Sequence, residues 1–143
     1  CVETAQSPWL SAIGSPLSPA ASASSDSQSS IANRRFDKIL VDAPCSNTGV
    51  MRRRADLRWR VQPGEIERLR TTQLELLRQA AMRLKPGGIL VYSTCSLEPE
   101  ENGEVVQQFL AEHNGFKSER ERELLPFMDG VDGAFIARLR RER

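Results

Sequence analysis

Two cysteine segments carry the residues best suited to chemistry. Ile39-Leu40-Val41-Asp42-Ala43-Pro44-Cys45-Ser46 and Ile89-Leu90-Val91-Tyr92-Ser93-Thr94-Cys95-Ser96 share one layout, an aliphatic run that ends in a thiol followed by serine. Each run reads as a buried parallel strand. In open α/β sheets the carboxyl ends of the strands face the ligand crevice. If the two strands are neighbours, both thiols look into one cleft. A strand-end cysteine is open to three readings: structural, half of a redox pair, or a nucleophile. An isolated one is more often structural, because free cysteine is among the most buried residue types. The redox reading is weakened by a separation of fifty positions with no CxxC pair.

The neighbours favour the nucleophile. Asp42 stands three residues before Cys45, with Pro44 stiffening the backbone between them. Methylation of carbon 5 of a pyrimidine needs such a set, since that carbon is too weak a nucleophile to attack an alkylating agent. A thiolate adding to carbon 6 turns the ring into an enamine, whose carbon 5 can attack a methyl sulfonium. A carboxyl group near ring nitrogen 3 stabilises the adduct, and a base then removes the proton at carbon 5. Asp42, Cys45 and Cys95 could supply all three groups.

The elements that position these residues follow from periodicity. Phe36 to Val41 is the first expected strand, and Ser46 to Pro63 a long irregular connection. Gly64 to Leu84 reads as a helix, with Ile66, Leu69, Gln73, Leu76, Leu77, Ala80 and Leu84 on one face. Pro86-Gly87-Gly88 is expected to stop it. Ile89 to Tyr92 is the second strand. A second helix opens at Pro99, buries Val105, Val106, Phe109 and Leu110, and ends at a left-handed Asn114-Gly115 cap. Glu98, Glu100 and Glu101 read as stabilisers of that helix start, Asn102 as a residue orienting the loop after Cys95, and His113 as a solvent-facing cap. Phe116 to Arg120 and Ala134 to Leu139 complete a β-α-β-α-β-β order, its first pair parallel through a right-handed crossover.

Composition narrows the class. A chain of 143 residues, 39% apolar and 27% charged, suits one soluble globular domain with a modest core. A net charge of +1 gives no global pull towards nucleic acid or membrane, so any basic surface must be local. No apolar run approaches the roughly 20 residues of a membrane span. Three cysteines without CxxC spacing and a single histidine argue against a zinc site or a disulfide framework. A reducing cytoplasm is the expected location and no metal is expected. Residues 1–33, rich in Ser, Ala and Pro, are expected to be a disordered linker before a domain over 34–143. One basic patch stands out: Arg52, Arg53, Arg54, Arg58 and Arg60 surround Trp59 directly after Pro44-Cys45-Ser46. Guanidinium groups pair with phosphates and stack on bases, and Trp59 adds a stacking face, so the loop is expected to bind RNA.

The segments Phe36 to Ser46, Leu84 to Ser96, Glu98-Pro-Glu-Glu-Asn102 and Asp132 to Leu139 together resemble the Sun (RsmB-like) family of RNA cytosine-5 methyltransferases over about residues 34 to 141. The resemblance implies that Cys95 is the nucleophile on carbon 6 and that Cys45 assists release of the methylated product. It implies that Asp42 contacts the target cytosine, and that Asp42 and Pro44 border an S-adenosylmethionine site. It further implies an RNA substrate, ribosomal RNA first and transfer RNA second. DNA cytosine-5 methyltransferases use the Pro-Cys cysteine instead, followed by a Glu-Asn-Val segment. Glu101-Asn102-Gly103 follows the second cysteine, so it is not that segment.

Family members also carry, upstream, a glycine-rich strand–turn–helix that cradles the cofactor and an acidic residue for its ribose. Gly14 is the only glycine before Gly49, and residues 1 to 35 show no such unit. The expected fold is therefore α/β, the C-terminal half of a Rossmann-like class I methyltransferase sheet whose N-terminal cofactor-binding strands are missing. Such a chain is expected to be marginally stable, to bind the cofactor weakly, and to self-associate along the open edge of its first strand. A catalytically silent RNA-binding remnant using the arginine loop is the alternative.

Overall fold

The computed structural model describes residues 34–143 except 60 and 61, without the side chains of Arg58 and Pro63. The expected linker over 1–33, Arg60 and the Arg58 side chain therefore lie outside the described residues.

Strand β1 (Phe36–Asp42) leads through two short 3-10 turns, Thr48–Val50 and Ala55–Trp59, to helix α1 (Pro63–Arg83). Then follow β2 (Leu84–Thr94), a 3-10 turn (Pro99–Glu101), α2 (Gly103–Glu112), β3 (Phe116–Leu124), the one-turn α3 (Pro126–Asp129) and β4 (Ala134–Arg141). The strands form one mixed sheet in the order β1-β2-β4-β3. β1 and β2 are parallel, as the crossover through α1 requires, while β4 runs antiparallel to both β2 and β3.

α1 forms because its apolar residues recur on one side, with proline at its start, Glu65 in its first turn and Arg83 in its last. Leu74, Leu77, Ala80 and Ala81 of this helix meet Leu90 and Tyr92 of β2. Val105, Val106 and Phe109 of α2 pack beside Phe135, Ala137 and Leu139 of β4. Together these side chains make one core on one face of the sheet. No described helix is long and apolar enough to cross a membrane.

Four local expectations need correction. β1 is not a buried strand: Leu40 is 67% exposed and only Ile39 and Val41 pack against the core. Among the described residues it is an edge strand with helices over one face only, so alternate side chains stay uncovered. Second, Pro86-Gly87-Gly88 does not separate helix and strand, because α1 stops at Arg83 and β2 already runs through these residues. Gly87 has a φ of +76°, a conformation that glycine adopts without penalty.

Third, no left-handed glycine ends α2, since Gly115 is not among the positive-φ residues. His113 caps the helix and is only half-exposed, its ring stacked on Phe109 at 4.4 Å. The turn closes through the Phe116 N–H on the His113 carbonyl at 3.0 Å, and Gly115 then accepts from Glu142 N. Fourth, the helix expected from Pro99 is broken at Asn102, with a 3-10 turn before it and α2 beginning at Gly103.

Candidate active site

The register of β1 on β2 aligns Asp42 with Ser93, so the two strands end level. The Ala43 N–H continues the ladder onto the Ser93 carbonyl at 2.9 Å. The residues that follow, Pro44-Cys45 and Thr94-Cys95, are thereby brought side by side. The Sγ atoms of Cys45 and Cys95 lie 3.3 Å apart, both as free thiols. Cys45 is buried and Cys95 half-buried.

Asn47 sits over the pair with a φ of +60°, a left-handed conformation that asparagine tolerates better than most residues. Its Nδ2 donates to the Cys45 carbonyl at 2.8 Å, and its Oδ1 accepts from Cys95 Sγ at 2.9 Å. Burial, followed by the adjacent Cys95, pushes the Cys45 thiol up to about 12. Cys45 therefore holds its proton at neutral pH, which makes it a poor attacking group there.

The loops beneath the thiols are tied by buried polar side chains. Glu101, fully buried, accepts from Ser46 N at 3.0 Å, from Ser96 Oγ at 2.6 Å, from Gln73 Nε2 at 3.1 Å and from Ser46 Oγ. Gln73 Nε2 also donates to the Pro44 carbonyl at 2.9 Å. Asn102 accepts from Thr94 Oγ1 at 2.6 Å and donates to the Ser96 carbonyl at 3.0 Å, so it orients the loop after Cys95 as expected. Tyr92 donates its hydroxyl to the Glu101 carbonyl at 2.6 Å, and burial together with the Glu101 carboxylate pushes its phenol upward.

Gly49 is required by close approach. It donates to the Cys95 carbonyl at 3.0 Å and accepts from Gly133 N at 2.9 Å. A Cβ there would stand 2.8 Å from the Cys95 carbonyl oxygen and collide with the Gly133 carbonyl.

Asp42 lies on the exposed side of this cleft, its Oδ1 accepting from Ser93 Oγ at 2.9 Å. Pro44 beside it is also exposed. Arg52, Arg53 and Arg54 lie in the bend between the two 3-10 turns, and Trp59 ends the second. Arg53 pairs with Asp132 at 3.0 Å, Arg52 with the same carboxylate at 3.7 Å, and Arg54 with Asp56 at 3.6 Å. These guanidinium groups remain more than half exposed, and Trp59 is 86% exposed. Such exposed pairs contribute little and can be exchanged for phosphate. A groove of about 340 Å³ lined by Phe36, Ile39, Leu76 and Arg83 lies at the amino end of β1, away from the thiols.

The structure places the Cys45 and Cys95 sulfurs side by side and Asp42 at the end of the adjoining strand, whereas the sequence reading did not single out Asn47 and took Gln73 and Glu101 only as helix residues. Two signals could have found them: the serine after each cysteine, and a glutamine inside the apolar stripe of α1.

A mixed sheet with parallel strands ending in one cleft, helices between them and a returning antiparallel strand defines an α/β fold of the Rossmann-like methyltransferase class. A family model described as 16S rRNA methyltransferase RsmB/F matches residues 20–140. The chain belongs to this family. It is 39% identical over 127 residues to the "Probable ribosomal RNA small subunit methyltransferase B" of Bacillus subtilis, covering 77% of this chain and 28% of that protein. It is 45% identical over 109 residues to the "Ribosomal RNA small subunit methyltransferase B" of Vibrio vulnificus, covering 72% and 26%.

Among solved structures, it resembles NSun6 from Pyrococcus horikoshii with SFG, with a TM-score of 0.69 and 32% identity over 77% of this chain and 31% of that one. A methyltransferase homologue from the same organism matches with a TM-score of 0.66 and 33% identity, covering 82% and 43%. The chain thus spans about a quarter of the length of the curated relatives quoted.

Proposed function

We propose that this chain carries the reacting cysteines of an enzyme that methylates carbon 5 of a cytosine in RNA, with ribosomal RNA the first candidate substrate. The observation that carries the reading is the pair of thiols 3.3 Å apart at the ends of two neighbouring strands, one buried and the other half-buried. Family membership and the names of the relatives support an RNA substrate.

Cys95 is the attacking sulfur. Its addition to carbon 6 forms a C–S bond and moves the carbon 5–carbon 6 electron pair onto carbon 5. Asp42, exposed at the end of β1, donates the proton of its carboxyl group to ring nitrogen 3 as the adduct forms and takes it back when the adduct collapses. S-adenosylmethionine, when bound, supplies an electrophilic methyl group to carbon 5. The exposed Asp42 carboxylate and the adjacent Pro44 suit one border of that cofactor's site. Once carbon 5 is methylated, a base removes its proton, the double bond reforms and the C–S bond breaks, returning Cys95. Cys45, beside the departing sulfur, can donate its S–H hydrogen bond to the thiolate as it leaves. Arg52, Arg53, Arg54 and Trp59 hold the strand that bears the base, through phosphate pairing and stacking.

The test is to methylate RNA with the whole protein bearing this sequence, digest the product to nucleosides and identify the modified one by mass spectrometry. 5-Methylcytidine is expected. A methyl group on an exocyclic nitrogen or on ribose would overturn the reading, because neither site needs a cysteine adduct. RNA binding with no methyl transfer at all would favour a silent binding module.

A further inference from the structure

The serine that follows each cysteine has a common partner. Ser46 Oγ and Ser96 Oγ both donate to Oε2 of Glu101, and the two hydroxyl oxygens lie 3.2 Å from each other. Oε1 of the same carboxylate takes the Ser46 backbone N–H at 3.0 Å and Gln73 Nε2 at 3.1 Å. Gln73 extends the arrangement to the Pro44 carbonyl, one residue before the other side of Cys45.

A wholly buried carboxylate is costly unless hydrogen-bonded, and this one is satisfied by Ser46, Ser96 and Gln73. What the carboxylate adds is directional, charge-assisted bonding to the backbone and side chain beside both thiols. Glu101 does stand in the turn at Pro99–Glu101, as expected, but its carboxylate is taken up by Ser46, Ser96 and Gln73. Neither the Pro99–Glu101 turn nor α2 has a side-chain cap hydrogen bond.

We propose that Glu101 is a positioning residue that fixes the separation of the Cys45 and Cys95 sulfurs by clamping Ser46 and Ser96 onto one carboxylate. Moving either cysteine segment away from the other stretches at least one of these bonds. The spacing is thereby set from beneath the cleft, by residues that do not touch the substrate. Its use in catalysis rests on the methyl transfer proposed above, but the spacing itself can be measured without RNA or cofactor.

Phenylarsine oxide is the probe. It condenses with two thiols, forming two As–S bonds and releasing its oxygen with both thiol protons as one water. The second As–S bond is intramolecular, so retention of the reagent against excess monothiol depends on how well the sulfurs are held together. The whole protein would be used with Cys1→Ser, removing the remaining cysteine of this sequence, and with any cysteine outside the sequence replaced likewise. Retention should be strong in that background and absent after Cys45→Ala or Cys95→Ala.

The Ser46→Ala/Ser96→Ala double variant and Glu101→Gln should still melt cooperatively yet retain the arsenical about tenfold less well or worse. Their kcat should fall with little change in KM for RNA, whereas a lost RNA contact would move KM. Undiminished retention in folded variants would overturn the proposal, as would no retention in the Cys1→Ser background. If Glu101→Gln does not fold, the serine pair decides.

Discussion

The two thiols differ in a way that pH can read. Burial and Cys95 raise Cys45 from the ordinary thiol value of 9.0 to about 12. The folded state therefore holds this proton more tightly than the unfolded chain does. Its contribution to stability is complete below pH 9 and is lost as pH rises from 9 towards 12. Tyr92, also raised by burial, adds to the alkaline side of the same trend. The melting temperature should fall on going from pH 8 to pH 10.5, and Cys45→Ala should make that fall shallower. An unchanged slope would mean that Cys45 is not buried as a neutral thiol. At this scale the paired cysteine segments were legible in the sequence, but not what holds them together. Ser46 and Ser96 are legible as a repeated Cys-Ser layout, yet Glu101, fifty-five residues from Ser46, meets it only in three dimensions.

At the scale of elements, the core joins α1 and α2 to one sheet face. Leu77, fully buried within it, is a direct probe. Leu77→Ala should destabilise the fold by about 2–5 kcal/mol in chemical denaturation, through lost burial and an unfilled cavity. Gly49→Ala tests the cleft rather than the core. A methyl group there forces the 48–50 turn away from the Cys95 and Gly133 carbonyls. Activity should fall more than stability, whereas a variant with wild-type kcat would show that the turn can shift without moving Cys95.

The helices and the parallel pair were legible from the apolar repeat of α1 and the aliphatic run Ile89 to Tyr92, but their ends were not, since β2 already begins at Leu84. Leu40 was not legible as exposed, since a continuous apolar run does not show that only one face of the strand is covered. Gly115 misled for a different reason. Asn-Gly signals a left-handed cap, but the β3–β4 ladder claims the Gly115 carbonyl and holds it elsewhere.

At the scale of the whole molecule, a formal net charge of +1 means that the RNA binding proposed here would rest on local basic surface, the turns after Cys45 being the candidate. Replacing Arg52, Arg53 and Arg54 with alanine should weaken RNA binding and reduce the slope of log affinity against log salt by about 1 for each phosphate contact removed. Trp59→Ala should cost about 1–3 kcal/mol if a base stacks on it, with the salt slope unchanged. Equal salt slopes for the arginine variant and the parent would place the RNA elsewhere.

The central claim is that Cys95 bonds to the cytosine while Cys45 does not. RNA carrying 5-fluorocytosine tests it directly, because fluorine at carbon 5 blocks the proton removal that frees the enzyme. With S-adenosylmethionine present, the whole protein should form a covalent complex whose digestion locates the base on Cys95. Cys95→Ala should abolish it and Cys45→Ala should keep it. A complex that survives Cys95→Ala and is lost in Cys45→Ala would contradict the account.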